Sequence, residues 1–240
     1  MIQIRNLTKK YGDFTAVDDL SLDVRRGEIF GFLGPNGAGK TTTIRILAGL
    51  SLPTTGSVSV GGHDLATDAL AAKKILGYVP DRPYLYEKLT GRELLQFMAN
   101  LYGRDWSERE SAAFELLRYL DLHEWIDARI ESLSHGMKQK LVIVASLVPD
   151  PEVLIVDEPM VGLDAFAQKQ VRLLLRRLAD EGKTIFLTTH TLSVAEAVCD
   201  RVAILHKGRV VATGTSAELA ERAGQSGGLE DVFLELTYGD

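Results

Sequence analysis

Cysteine is almost absent from this 240-residue chain, which holds one, Cys199. A lone thiol excludes an intramolecular disulfide, so no disulfide partner is expected and a reducing compartment is. Cys199 follows Val194, Ala197 and Val198, a spacing that predicts a small buried hydrophobe rather than a nucleophile. Long apolar runs are missing too. The most apolar stretch, 141–148, contains Ser146 and stops at Pro149, far short of the roughly 18 residues that a bilayer span requires. Basic residues are not in excess: 27 against 33 acidic ones give a net charge of -6. No broad cationic field is available for nucleic acid or an anionic membrane, and no nucleic-acid partner is expected. The opening residues Met-Ile-Gln-Ile-Arg-Asn carry no charged segment followed by an apolar core, so no export signal is expected. Repeats, low-complexity tracts and heptad runs are also lacking.

What remains is the balance of an ordinary globular protein, with 45% apolar and 25% charged residues. A chain of this size hides roughly 70 to 75% of the surface its unfolded form exposes. It needs no metal staple to fold.

Ile2, Ile4 and then Leu20, Leu22 and Val24 alternate with polar residues on either side of Gly12-Asp13, which predicts two antiparallel strands. A continuous apolar run at 28–33 predicts a buried strand, and Ile44, Leu47, Ala48 and Leu50 predict a helix that Gly49 and Pro53 terminate. Short strands are expected at 56–60 and 75–79. Residues 90 to about 147 hold helical apolar spacings only, a candidate helical subdomain. Strand and helix then alternate, with strands at 153–156, 184–187 and 202–205 and helices at 168–178 and 193–198. Such alternation predicts a parallel sheet covered on both faces. Gly208 and Gly214 mark a terminal hairpin, and two short helical patterns follow, at Glu218–Ala223 and Leu229–Leu236.

Between the strand at 28–33 and the following helix lies Gly34-Pro35-Asn36-Gly37-Ala38-Gly39-Lys40-Thr41, with Thr42 after it. This is a phosphate-binding loop in its required context. Its glycines let backbone N–H groups turn inward around phosphate oxygens, Lys40 reaches the terminal phosphates, and Thr41 supplies a hydroxyl to Mg²⁺. The helix N-terminus adds a favourable dipole.

The strand at 153–156 ends in Asp157-Glu158. Ligands of parallel sheets bind at the carboxyl ends of strands, so Asp157 is expected beside the phosphate loop as a Mg²⁺ ligand, usually through a water. Neighbouring strand residues face opposite ways, which aims Glu158 at the position of an attacking water.

Leu133-Ser134-His135-Gly136-Met137 opens the helix that runs to Val148, a second helix N-terminus suited to an anion. With this motif placed between the loop and the acid pair, residues 2–215 resemble the ATP-binding-cassette (ABC) family. The resemblance implies an α/β fold: a P-loop nucleotidase core with a mixed, mainly parallel sheet, an N-terminal antiparallel β subdomain and an inserted α-helical subdomain. It implies one cassette over 1–214, with its core at 1–80 and 149–214 and the helical subdomain at about 81–148, and a short helical extension over 215–240. It further implies that the signature of one chain closes over the ATP held by the phosphate loop of another, with Ser134 and Gly136 on the γ-phosphate. Tyr11 matches the aromatic that stacks on adenine, Gly162-Leu163-Asp164 the loop linking the two sites, and His190 the switch histidine on the γ-phosphate. Residues 80–90 and 229–233 are similar to ATPase subunits of bacterial exporters whose membrane domains are separate chains.

Four positions depart from the family pattern. Asp81 stands where glutamine usually ligates Mg²⁺, and two readings are open: a shorter, charged ligand, or a turn residue between Pro80 and Pro83. His135 replaces a glycine, Met137 a glutamine and Ala165 a proline, none of them among the atoms expected to hold the γ-phosphate.

The activity so implied is ATP hydrolysis with ATP and Mg²⁺, in a complex with a second copy or a paralogous subunit and with integral membrane permease chains. The expected location is the cytoplasmic face of the membrane. Tyr84, Leu85 and Tyr86 read either as a receiving surface for the permease or as core of the helical subdomain. A soluble cassette ATPase not coupled to transport is the alternative class; its relatives commonly carry two cassettes or long coiled coils, and this chain has neither. A GTPase would need an Asn-Lys-x-Asp segment, which is missing.

Overall fold

A computed structural model describes residues 1–222 and 228–238. Strands β1 (Ile2–Tyr11) and β2 (Phe14–Val24) form the expected hairpin around Gly12. Their alternation buries Ile2, Ile4, Leu7, Leu20, Leu22 and Val24. The hairpin joins β4 (Thr55–Val60) and β5 (His63–Asp64) in a four-stranded antiparallel sheet of order β2-β1-β4-β5.

The second sheet holds β3 (Ile29–Leu33), β6 (Leu76–Val79), β7 (Val153–Asp157), β8 (Thr184–Thr189), β9 (Arg201–His206) and β10 (Arg209–Gly214), in the order β10-β9-β3-β8-β7-β6. All neighbours are parallel except β10, which pairs antiparallel with β9. The mixed, mainly parallel expectation is met. Successive residues of the central strands serve opposite faces, as a period of two requires. Ile29, Leu154, Val156, Ile185 and Leu187 pack under the helices, whereas Phe30, Phe32, Val153, Ile155 and Phe186 face the antiparallel sheet. Phe186 anchors that second layer, with ring centroids 6.0 Å from Phe30 and 5.3 Å from Phe32.

Helix α1 (Lys40–Leu47) follows the phosphate loop. It stops earlier than the apolar spacing suggests: Gly49 takes φ +65°, the left-handed conformation that ends helices at low cost. Leu50 therefore falls outside the helix and is exposed. A short helix, α2 (Ala69–Lys74), precedes β6 and has no periodic signal in the sequence.

Between β6 and β7 the chain makes α3 (Gly91–Leu101), α4 (Trp106–Tyr119) and α5 (His135–Leu147), with short 3-10 turns at His123–Trp125 and Ile130–Ser132. Local chemistry sets the starts. Thr90 and Glu93 cap α3 reciprocally, Asp105 caps α4, and the Ser134 hydroxyl accepts from Met137 N at 3.3 Å at the head of α5. Buried faces of these helices share one apolar cluster with the sheet.

Helix α6 (Ala165–Asp180) lies between β7 and β8, and α7 (Leu192–Val198) between β8 and β9. Cys199 ends α7, and burial pushes its thiol up to about 12, which makes it inert. Its sulfur packs so close to Gly31 that a Cβ there would lie 2.9 Å from it. Helices α8 (Ser216–Arg222) and α9 (Leu229–Tyr238) match the two terminal patterns, Ala223 lying outside the described residues. Leu229 and Val232 of α9 are buried beside Leu33, Val202 and Ile204.

Candidate functional site

Four strands deliver their C-terminal ends to one edge of the parallel sheet. The phosphate loop leaves β3, Asp157-Glu158 closes β7, His190 follows β8, and Asp81 lies two residues beyond β6. Because β8 sits between β3 and β7, segments more than a hundred residues apart in sequence become neighbours across two strand spacings, roughly 10 Å. A cleft of about 560 Å³ opens there, lined by Asn36, Gly37, Gly39, Lys40, Thr41 and Thr42 on one side and by Asp81, Asp157, Glu158 and His190 on the other.

The loop owes its shape to glycine. Gly37 and Gly39 hold φ +79° and +111°, a region that side chains disfavour. The first-turn amides of Lys40, Thr41 and Thr42 have no intrahelical partner, and Gly39 has no side chain with which to cap them, so they suit anion oxygens. Lys40 Nζ donates to the carbonyls of Gly34 (2.5 Å) and Pro35 (3.2 Å). Burial lowers its pKa, opposed by the charges of Glu158 and Asp157.

Asp157 is buried, and its carboxylate accepts from the Thr188 hydroxyl at 2.5 Å. Burial raises its pKa, the Thr188 bond works against that, and the nearby charges of Asp81 and Glu158 add to it. Immediately after Asp157 the chain turns: Glu158 takes φ +48°, and its N–H donates to Thr188 O at 3.1 Å. This turn separates the two carboxylates. Glu158 Oε1 then meets His190 Nδ1 at 2.9 Å, with the glutamate side chain 16% exposed and the histidine 61%.

Among the described residues no group of three His, Cys, Asp or Glu is arranged as a metal cage. The Thr41 hydroxyl with the Asp157 and Asp81 carboxylates is instead an all-oxygen donor set. It fits an ion held by one or two carboxylates together with phosphate oxygens and water, the habit of Mg²⁺.

The remaining expected residues lie outside the cleft lining. Gly34, Pro35 and Ala38 form the back of the loop. Ser134 and Gly136 sit at the head of α5, and Asp164 caps α6 by accepting from Ala167 N at 2.8 Å. These last two places touch each other. A Cβ on Gly136 would lie 3.1 Å from Gly162 O, and one on Gly162 would run into the His135 ring. Tyr11 is half exposed with Lys9 Nζ 5.0 Å from its ring centre. Its partner across the hairpin, Phe14, lines the cleft instead, together with Ala16, Arg82, His135 and Val161. Sequence patterns mark none of these five as cleft residues. Phe14 carries one signal, an aromatic paired with Tyr11 across the Gly12-Asp13 turn. The Tyr84–Tyr86 cluster divides: Leu85 packs on the core, whereas Tyr84 and Tyr86 are exposed and Tyr86 meets Phe97 edge to face at 5.7 Å.

The model of the family described as "ABC transporter" matches residues 17–161. Over 237 residues the chain is 38% identical to the linearmycin resistance ATP-binding protein LnrL of Bacillus subtilis, an alignment covering 99% of this chain and 75% of that protein. The chain belongs to the ABC transporter family. The cassette is also 40% identical over 220 residues to the Nod factor export ATP-binding protein I of Burkholderia orbicola, covering 92% of this chain and 72% of the relative. Its fold superposes on the solved ATP-binding subunit of an ABC transporter with a TM-score of 0.94 at 35% identity, covering 98% and 99% of the two chains. It superposes on a dimeric cassette in a post-hydrolysis state bound to ADP and Pi with a TM-score of 0.81 at 28% identity, covering 90% and 98%. The protein is thus an ATP-binding, ATP-hydrolysing transporter subunit, and among its described residues no helix is long and apolar enough to cross a membrane.

Proposed function

We propose that this cassette drives export through separate membrane permease chains, working at the cytoplasmic face as a head-to-tail pair with a second copy or a paralogue. The 2.9 Å contact between Glu158 and His190, above Lys40 and Asp157 in one cleft, carries the mechanism. The division into a cassette over 1–214, with its helical part at about 81–148, and an extension over 215–240 belongs to the same reading. The relatives named for resistance and for export support the direction of transport.

In this reading the loop amides and Lys40 hold the β- and γ-phosphates, and Tyr11 with Phe14 flanks the base. Glu158 takes a proton from water as its oxygen bonds to the γ-phosphorus and the bond to the bridging oxygen breaks, leaving ADP and phosphate. His190 holds the Glu158 carboxylate in place and faces the γ-phosphate. A bound Mg²⁺ would be held by Thr41, Asp157 and Asp81 and would neutralise charge on the phosphate oxygens. Ser134, Gly136 and Asp164 complete the site of the partner chain. The exposed Tyr84 and Tyr86, with Phe97 of α3 against the Tyr86 ring, form the surface offered to the permease.

Glu158→Gln tests the base. General-base removal costs about 10²–10⁴ in rate, so turnover should collapse while ATP binding persists and an ATP-dependent dimer accumulates in size-exclusion chromatography. Undiminished turnover would remove Glu158 from the role.

A further inference from the structure

We propose that Gly208, in the turn between β9 and β10, is a positioning residue for the phosphate loop. The inference rests on the loop as the ATP site. Three observations meet at this turn. Gly208 N–H donates to the Ala38 carbonyl at 3.0 Å, in the middle of the loop. The Gly208 carbonyl accepts from Asp18 N–H of β2 at 2.9 Å. Arg209 Nε and Nη2 both donate to Asp18 Oδ2, at 2.9 and 2.6 Å. A hairpin of the parallel sheet and a strand of the antiparallel sheet therefore grip the loop from behind.

The Ala38 carbonyl and the Gly39 N–H belong to one planar trans peptide, so they point in opposite directions. Tying the carbonyl back to Gly208 turns the Gly39 N–H forward, and Gly39 lines the cleft. The turn thereby orients a phosphate donor without touching phosphate. Close packing leaves the loop no other seat. A Cβ on Gly34 would lie 2.5 Å from Leu205 O, and one on Gly39 would lie 2.5 Å from Ala16 O. Gly208 is constrained in two ways: it holds φ +81°, and an added Cβ would stand 3.1 Å from Ala16 O and 3.4 Å from Asp18 N. Any side chain there wedges β2 away from the turn and shifts the peptide that Gly208 holds.

A split between binding and turnover is expected, because Asp157 ends β7, Glu158 follows it and His190 follows β8, and β3 separates both strands from the β9–β10 hairpin. Gly208→Ala should raise the KM for ATP and the Kd for MgATP about tenfold while kcat at saturation stays within about twofold, a tenfold change corresponding to about 1.4 kcal/mol. Lys207→Gly relieves the left-handed backbone at the neighbouring position (φ +47°) and introduces no wedge; it should bind MgATP as the unmodified cassette does. Asp18→Arg should weaken MgATP binding, and Arg209→Asp in the same chain should restore it. This pair keeps the test decisive if Gly208→Ala fails to fold. Wild-type affinity in a folded Gly208→Ala, equal losses from Lys207→Gly, or no loss in Asp18→Arg would each overturn the proposal. Loss of all ATP binding in the unmodified protein would instead strike the site assignment beneath it.

Discussion

The phosphate-loop edge and the head of α5 are built in different ways. At the first, strand ends gather opposite charges in a confined space: Lys40 and Asp157 are both shifted by burial, and Glu158 is nearly covered. At the second, Ser134 and His135 are exposed, and the charges nearby are paired at the surface, Lys138 with Glu87 at 2.8 Å and Lys88 with Glu131 at 2.6 Å. A cleft that desolvates charged groups makes each of them act more strongly. An exposed helix start supplies a dipole and a hydroxyl, which are weak until something closes over them. Charge is gathered at the strand ends, and the head of α5 is left at the surface. The packing of Gly136 and His135 on Gly162 ties that surface to the loop that begins just after Glu158.

The largest test of this contrast mixes two crippled chains. Lys40→Ala should remove the phosphate grip and Ser134→Arg the closing surface, each abolishing ATPase activity as a pure protein. In a head-to-tail pair, a mixed dimer rebuilds one intact site from the good loop of one chain and the good signature of the other. Mixing equal amounts should therefore restore about a quarter of the activity, half of the dimers having one site of two. If the mixture is as inactive as its components, both elements serve the same chain's nucleotide, and the contrast is wrong.

A smaller effect, of opposite sign in two assays, is expected at Asp157. Burial raises its pKa above that of the unfolded chain, so the folded state binds a proton more tightly and is favoured as pH falls. The cost of the charged form appears above the unfolded pKa and is complete once the pH exceeds the folded one. Asp157→Asn removes that cost at pH 7 and keeps an acceptor for Thr188. It should raise the thermal midpoint of the nucleotide-free protein by a few degrees, at roughly 2–4 °C per kcal/mol for a domain of this size, while abolishing hydrolysis. A lowered midpoint would mean that the strand end is stabilised by its charge.

The smallest change concerns the outer surface. Tyr84→Ser with Tyr86→Ser should sharply reduce co-purification with a permease partner and shift the midpoint by only a few degrees, the Tyr86–Phe97 pair contributing about 0.5–1.5 kcal/mol. Unfolding of the helical part would return these rings to the core.

Most of the elements are legible in the amino-acid order itself. Period-two spacing locates the N-terminal hairpin, continuous apolar runs locate the strands of the doubly covered sheet, and 3.6-residue spacing locates the main helices. Leu50 misleads, since apolar spacing continues past a glycine that the backbone uses to stop. Short α2 has no apolar stripe to read. Tyr11 is the evident aromatic for the base, and the hairpin adds Phe14 to the cleft lining, which only the pairing of the two strands brings about.

The residues from Gly34 to Thr42 determine their own chemistry. Their glycine spacing permits the turn of the loop and leaves its backbone N–H groups free to face phosphate. Which carboxylate meets which histidine is decided by strand order, since β8 between β3 and β7 brings Glu158, His190 and Lys40 to one edge. Gly208 shows the same division: its glycine is visible in the sequence as a turn, and its grip on Ala38 exists only because two sheets pack back to back across the loop.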